Sequence, residues 1–212
     1  MPGRPVLYVL AGVNGAGKSS IGGYLLTQAG LAWYNPDDFA RALVTDRGVP
    51  QEKANIGAWQ EGVRRLRRAM ATRRSFAFET TLGGQSITRY LLQACETHDV
   101  MIWYCGLRDV QLHLDRIRQR VLNGGHDIPE TKVRRRWVSS LRNLVVLMPS
   151  LAHLRVYDNS AQFEKGQAIG EPKPLLGMRA AKRLHPARLA DAADTPEWAK
   201  PVLEVAFELD PG

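Results

Sequence analysis

Residues 5–27 read PVLYVLAGVNGAGKSSIGGYLLT, and Gly12-Val13-Asn14-Gly15-Ala16-Gly17-Lys18-Ser19 within them is a complete G-x-x-x-x-G-K-[ST] pattern. Context gives the pattern its meaning. The apolar, β-branched run from Val6 to Leu10 enters it as a strand, and Ile21, Leu25 and Leu26 leave it at helical spacing. Glycines let the backbone curl so that successive N–H groups point inward at phosphate oxygens, and the helix starting near Lys18 adds the positive end of its dipole. Gly12, Asn14, Gly15, Ala16, Gly17, Lys18, Ser19 and Ser20 are therefore the candidate nucleotide-binding residues. Lys18 would reach the β- and γ-phosphates, and the Ser19 hydroxyl would hold Mg²⁺.

Outward from this loop the chain alternates strand and helix. Leu31-Ala32-Trp33-Tyr34 reads as a short second strand running into Asn35-Pro36-Asp37-Asp38. Asn-Pro breaks regular structure, which puts both carboxylates at a strand's carboxyl end, beside the phosphate loop, on the edge where open parallel sheets bind ligands. Asp38 is a candidate cap for a helix starting at Phe39, which leaves Asp37 for chemistry. Ser75 to Thr81 (SFAFETT) is a third strand, apolar and then abruptly polar, and it delivers Glu79, Thr80 and Thr81 to the same edge. Val100 to Leu107 (VMIWYCGL) has the continuous apolarity of a strand buried on both faces. Leu154-Arg155-Val156-Tyr157 closes the core at Asp158-Asn159-Ser160.

The helical segments carry most of the arginines. Over 52–74, Trp59, Val63, Leu66 and Met70 form one apolar stripe, and Arg64, Arg65, Arg67 and Arg68 take the other faces, which a solvated surface explains best. Over 109–122, Val110, Leu114, Ile117 and Val121 face inward while His113, Arg116 and Arg120 share another face. Asn123-Gly124-Gly125 stops that helix, and a new one starts near Asp127, its expected N-cap, with Arg134, Arg135 and Arg136 early and Val133, Trp137, Leu141 and Leu144 inward. Two arginine-bearing helices joined by Asn-Gly-Gly suit a lid over about 109–147. The expected architecture is an α/β, three-layer P-loop kinase-type sandwich with a mainly parallel sheet. It comprises a core over 1–160 and an extension over 161–212, with a strand at Pro174 to Met178 and a helix around Glu197 to Phe207 anchored by Trp198.

Composition fits one soluble domain of 212 residues, 44% hydrophobic and 24% charged, with no apolar run long enough for a membrane span and no signal peptide; a cytoplasmic site is expected. Cys95 and Cys105 are too few for a zinc site and are expected reduced. His98, beside Asp99, is expected at the surface, and His126 as a loop hydrogen-bonder. The net charge of +8 points to acidic partners, more simply phosphorylated small molecules than nucleic acid, because no platform of interleaved aromatics is evident.

Phosphoryl transfer needs in-line positioning and charge neutralisation. Asp37 is the candidate acceptor of the substrate hydroxyl's proton. Lys18, Mg²⁺ at Ser19 and one or two of Arg116, Arg120 and Arg134 would neutralise the moving phosphoryl. Glu79, Thr80 and Thr81 would bind the acceptor, or Glu79 would position the metal. Each has a plainer rival: a helix cap for Asp37, an arginine partner for Glu79, a solvated face for Arg116 and Arg120.

AGVNGAGKSS, NPDDFA, FAFETTL, RIRQRVLNGGHDIPETKVRRRW with its continuation SSLRNL, and YDNS, in that order over about residues 5–160, resemble the zeta-toxin family of P-loop kinases, in particular its chromosomal predicted-ATPase branch. The resemblance implies ATP-dependent phosphorylation of the sugar 3′-hydroxyl of UDP-N-acetylglucosamine and, in some members, control by a small helical antitoxin. By it Lys18 matches the phosphate-loop lysine, Asp37 the catalytic aspartate, Glu79 with Thr80 the substrate segment, and the arginines of the 116–136 stretch the lid arginines. One departure is local: His126-Asp127-Ile128-Pro129 stands where plasmid-type toxins carry a second lid arginine before Thr-Pro. Other acceptors consistent with the branch are a different sugar nucleotide, a nucleoside or an antibiotic-like molecule. A polynucleotide kinase or nucleic-acid-directed ATPase, and a nucleotide switch without an acceptor, are the readings from other classes.

Overall fold

The computed structural model describes residues 3–19, 22, 26, 31–161 and 172–211. A six-stranded sheet runs through the molecule in the order β2-β1-β3-β4-β5-β6. β1 (Val6–Ala11), β2 (Phe76–Thr80), β3 (Asp99–Gly106) and β4 (His153–Asp158) are parallel, and β5 (Lys173–Arg179) and β6 (Lys182–His185) continue the sheet antiparallel. Six helices accompany it among the described residues: α1 (Pro36–Arg47), α2 (Gln51–Thr72), α3 (Gln85–Ala94), α4 (Val110–Leu122), α5 (Glu130–Leu147) and α6 (Lys200–Leu209). Lys18, Ser19, Gly22 and Leu26 are helical as well, after the phosphate loop.

Apolar side chains on both faces of the sheet give the three layers. On one face Leu7, Val9, Phe78, Ile102 and Val156 pack with Leu66 of α2, Leu91 of α3, Leu144 and Leu147 of α5 and Leu203 of α6. On the other, Leu10 and Ala77 pack with Leu26, and Tyr8, Trp33 and Trp103 close the edge. β1 lies inside the sheet between β2 and β3, its side chains buried or half-buried on both faces, as its unbroken apolar run requires. Its carboxyl end, Ala11, lies in register with Thr80 of β2 and Tyr104 of β3, which sets Gly12 beside the residues that follow those strands.

The structure corrects four local expectations. Residues 31–34 form no strand; only Tyr34 bridges, parallel, to Phe78, with its N–H donating to Ala77 O and its carbonyl accepting from the Glu79 N–H. The following helix starts at Pro36, and Asn35 rather than Asp38 caps it, through Oδ1 accepting from the Asp37 N–H at 2.9 Å. Proline fits this first turn because its missing N–H needs no partner there. Asp38 instead pairs with Arg41 at the surface, 3.1 Å away. α5 begins at Glu130 with no side-chain cap, so Asp127 does not serve as one. His98 is buried, its ring hydrogen-bonded to Thr97 Oγ1 and to Arg74 O. Both cysteines are free thiols, and burial pushes that of Cys105 up to about 12.

Candidate active site

Three glycines shape the loop after β1. Gly12, Gly15 and Gly17 have φ of 139°, 83° and 84°, a region that L side chains avoid. A Cβ at Gly12 would run into Cys105 O, and one at Gly17 into the Asn159 side chain. That asparagine closes the loop from the β4 side by donating through Nδ2 to Ala16 O at 2.9 Å. From α4, buried His113 donates through Nδ1 to Asn14 O at 2.8 Å, which assigns its tautomer because a carbonyl can only accept. Burial holds this imidazole neutral, its pKa pushed down to about 4.

Lys18 and Ser19 sit where the loop turns into its helix. Lys18 is buried and reaches Glu79 Oε1 at 3.3 Å and Val13 O at 3.4 Å. The Ser19 hydroxyl donates to Glu79 Oε2 at 2.8 Å. One carboxylate, on the penultimate residue of β2, thus holds both groups that a magnesium-bound triphosphate would engage. Two hard oxygen donors this close, Ser19 Oγ and the Glu79 carboxylate, fit Mg²⁺, which takes few protein ligands and completes its shell with phosphate and water. Among the described residues no cluster of three or more His, Cys, Asp or Glu could hold a metal ion.

Beside the loop opens a cavity of about 420 Å³. Asn14, Lys18, Asp37, Glu79, Thr80 and Thr81 line it. Asp37 Oδ2 pairs with Arg120 Nη1 at 3.3 Å, and Arg120 Nη2 donates to His126 O at 3.2 Å, while its buried Nε has no partner among the described residues. Arg136 reaches in from α5 and donates to Asn14 Oδ1 at 2.8 Å. Both threonines turn back on their own loop, Thr80 Oγ1 accepting from the Leu82 N–H and Thr81 Oγ1 from the Gly83 N–H.

The structure therefore gathers Lys18, Ser19, Asp37, Glu79 and Arg120, and it separates the other two arginines. Arg116 donates to Asn159 O at 2.8 Å and to Ala161 O, buttressing the segment that closes the phosphate loop. Arg134 faces away and pairs with Glu130, one turn back, at 2.6 Å. Ser20 lies outside the described residues. The expected inward stripe of α2 fails at Trp59, which is 52% exposed and lines the cavity with Tyr34, Val63 and Phe78. Arg135 and Arg136, which the resemblance places among the lid arginines without a role of their own, also line it, as does Lys132, for which the sequence reading gave no role. Arg136 had a signal in the sequence. Ser139, Ser140 and Asn143 are polar on the same face of α5, and they dock that face by donating to Gly83 O, Thr81 O and Leu82 O. A helix face that polar is bound to something polar, here the loop after β2, and Arg136 is the next residue up that face.

No protein-family model matches the chain. An uncharacterized protein of Haemophilus influenzae is 29% identical over 144 residues, 65% of this chain and 94% of that protein. Among solved structures, the AvrRxo1-ORF1:AvrRxo1-ORF2 complex with ATP aligns with 96% of this chain at a TM-score of 0.62 and 18% identity. The chain spans 64% of that protein's length. The PezAT chromosomal toxin-antitoxin system of Streptococcus pneumoniae aligns with 100% of this chain and 80% of its own, at 0.54 and 13%. The Pnkp1/Rnl/Hen1 RNA repair complex aligns with 68% of this chain and 46% of its own, at 0.54 and 17%. The chain has the P-loop kinase fold. At these identities the likeness is one of fold, and one fold hosts many acceptors.

Proposed function

We propose that the protein is an ATP-dependent small-molecule kinase that transfers the γ-phosphate to an acceptor hydroxyl, with UDP-N-acetylglucosamine the first acceptor to test. One observation carries the reading: Asp37 opens onto the same cavity as Lys18 and Glu79, with guanidinium groups from α4 and α5 beside it. Ser19 and Glu79 would hold Mg²⁺, which would supply charge neutralisation on the phosphates. Lys18 binds the β- and γ-phosphates, turning from Glu79 to do so. Asp37 accepts the hydroxyl proton of the acceptor, and its release from Arg120 frees both groups, carboxylate for the proton and guanidinium for the transferred phosphoryl. Arg136, held at the loop by Asn14, stabilises the same charge from the other helix. In this reading Arg116 has a positioning role and Arg134 none.

The resemblance to zeta toxins, together with the fold likeness to PezAT and to the AvrRxo1 pair, supports a further part of the proposal, control by a second protein of antitoxin type. A nucleic-acid acceptor is less favoured, because Arg64 and Arg65 of the basic helix α2 are tied to Glu61 at 2.7 and 2.6 Å rather than free to meet phosphates. The test is incubation with Mg-ATP and a panel of UDP-sugars, nucleosides and oligonucleotides, read by mass spectrometry for an acceptor gaining one phosphate. Modification of an oligonucleotide alone would overturn the small-molecule reading.

A further inference from the structure

α5 carries five basic residues, Lys132, Arg134, Arg135, Arg136 and Arg142, and three of them face the cavity. Lys132, Arg135 and Arg136 stand at i, i+3 and i+4, one face of the helix. Their ion pairing sorts by direction. Arg134, which faces away, is satisfied by Glu130. Among the described residues no carboxylate lies within ion-pair distance of Lys132, Arg135 or Arg136, although the cavity wall contains three carboxylates. Glu79 is committed to Lys18 and Asp37 to Arg120, which leaves Asp127, among the described residues, as the one carboxylate of the cavity wall in no ion pair.

Arg136 is drawn to the phosphate loop by Asn14, so its charge serves the transferred phosphoryl. Lys132 and Arg135 have no such task. Cations kept at a cavity wall without protein counter-ions raise its potential and favour an anion there. An arginine with both edges open can hold a phosphate or carboxylate in bidentate fashion, with the lysine as a second point charge. Lys132 precedes Arg136 by one turn, roughly 6 Å along the axis, which separates an anchored acid from the site of transfer. Trp59 and Val63 of α2 and Ile87 of α3 supply the nonpolar wall against which the remainder of such a molecule would pack.

Resting on the kinase reading, we propose that Lys132 and Arg135 form an acceptor subsite for an acidic group, so that the hydroxyl phosphorylated belongs to a molecule that already bears a phosphate or a carboxylate. The experiment is calorimetry on the protein saturated with Mg²⁺ and the non-hydrolysable analogue AMP-PNP, so that the phosphate loop is filled before any acceptor is added. Matched compounds are then titrated: N-acetylglucosamine against its 1-phosphate and its UDP derivative, uridine against uridine 5′-monophosphate, and glucose against gluconate. Acid-bearing members are expected to bind at least about tenfold more tightly than their neutral partners, with the margin shrinking as salt is raised. The phosphate and carboxylate arms show which acid the subsite prefers.

The double variant Lys132→Ala/Arg135→Ala is expected to erase that margin. Both residues are exposed, so the fold should tolerate the change, and AMP-PNP titration of the same variant reports whether the phosphate loop is intact. Equal binding of acidic and neutral members, an undiminished margin in the variant, or no binding by any acidic compound would each overturn the proposal. Failure of the kinase reading looks different: AMP-PNP would not bind, or no acceptor would gain phosphate from ATP.

Discussion

Glu79 holds with one carboxylate the two side chains, Lys18 and Ser19, that a magnesium nucleotide would have to share between phosphate and metal. Glu79→Gln keeps the shape and removes the charge. If Glu79 helps position Mg²⁺, the metal concentration giving half-maximal transfer should rise by about tenfold or more, whereas a purely structural partner of Lys18 would leave that requirement unchanged. Asp37 makes a different prediction. Asp37→Ala should lose about 10²- to 10⁴-fold in transfer rate while still binding AMP-PNP, and Lys18→Ala should lose both, which calorimetry and product mass spectrometry separate. His113 gives a pH signature. Its pKa falls from 6.5 to about 4 on burial, so the unfolded chain binds more protons than the folded one between those values. The stability it contributes is complete above pH 6.5 and drains away as pH falls toward 4, at most about 3 kcal/mol in all. Urea midpoints measured from pH 7.5 down to 4.5 should drop accordingly. His113→Gln should flatten part of that slope, and His126 and His153, which burial also pushes down, contribute to the rest.

At the scale of elements, α5 is the piece that turns a phosphate-binding sheet edge into a closed site. Val133, Leu144 and Leu147 bury one side of it, and Ser139, Ser140 and Asn143 tie it to the three carbonyls after β2. Asn143→Ala would strand Leu82 O in a buried setting, a cost of about 1–3 kcal/mol. For a chain of this size that means a thermal midpoint lower by roughly 2–4 °C per kcal/mol, with a KM for acceptor that rises more than the KM for ATP because the cavity wall loosens first. The elements themselves were legible from period and punctuation: β1, β2, β3, β4 and helices α2, α4 and α5 stand within a few residues of where apolar spacing and Asn123-Gly124-Gly125 set them. What could not be read was which face of a helix meets which partner. The 134–136 triplet shows why. Three consecutive arginines differ by 100° each around the helix, so one pairs with Glu130 in solvent and one reaches Asn14, a choice fixed by the packing of α5 on a loop some fifty residues earlier. Trp59 was misread for the same reason, since an apolar stripe can line a cavity as well as a core.

On the scale of the whole molecule, the carboxyl edge of the parallel strands collects the site, and residues beyond β4 complete the sheet that holds this edge rigid. β5 pairs antiparallel with β4, and α6 follows a turn at Trp198 whose ring packs near Tyr104 with centroids 6.2 Å apart. Gly106, the last residue of β3, has no side chain because that indole occupies the space where a Cβ would stand. The indole N–H donates to Asp158 Oδ1 at 3.1 Å, and Asp158 Oδ1 also accepts from Ser160, next to the Asn159 that closes the phosphate loop. Trp198 is thereby connected to the phosphate loop through the last residue of β4 and the two that follow it. Trp198→Ala should cost about 3–5 kcal/mol by opening a cavity between β3 and α6. Because the indole also fixes Asp158, it should weaken AMP-PNP binding, although Trp198 touches no phosphate. Trp198→Phe fills most of the space without the N–H. It should recover most of the stability, read from urea midpoints, but not all of the nucleotide affinity, read by calorimetry. Full recovery of both would show that the indole acts through packing alone and that the hydrogen bond to Asp158 carries nothing to the loop.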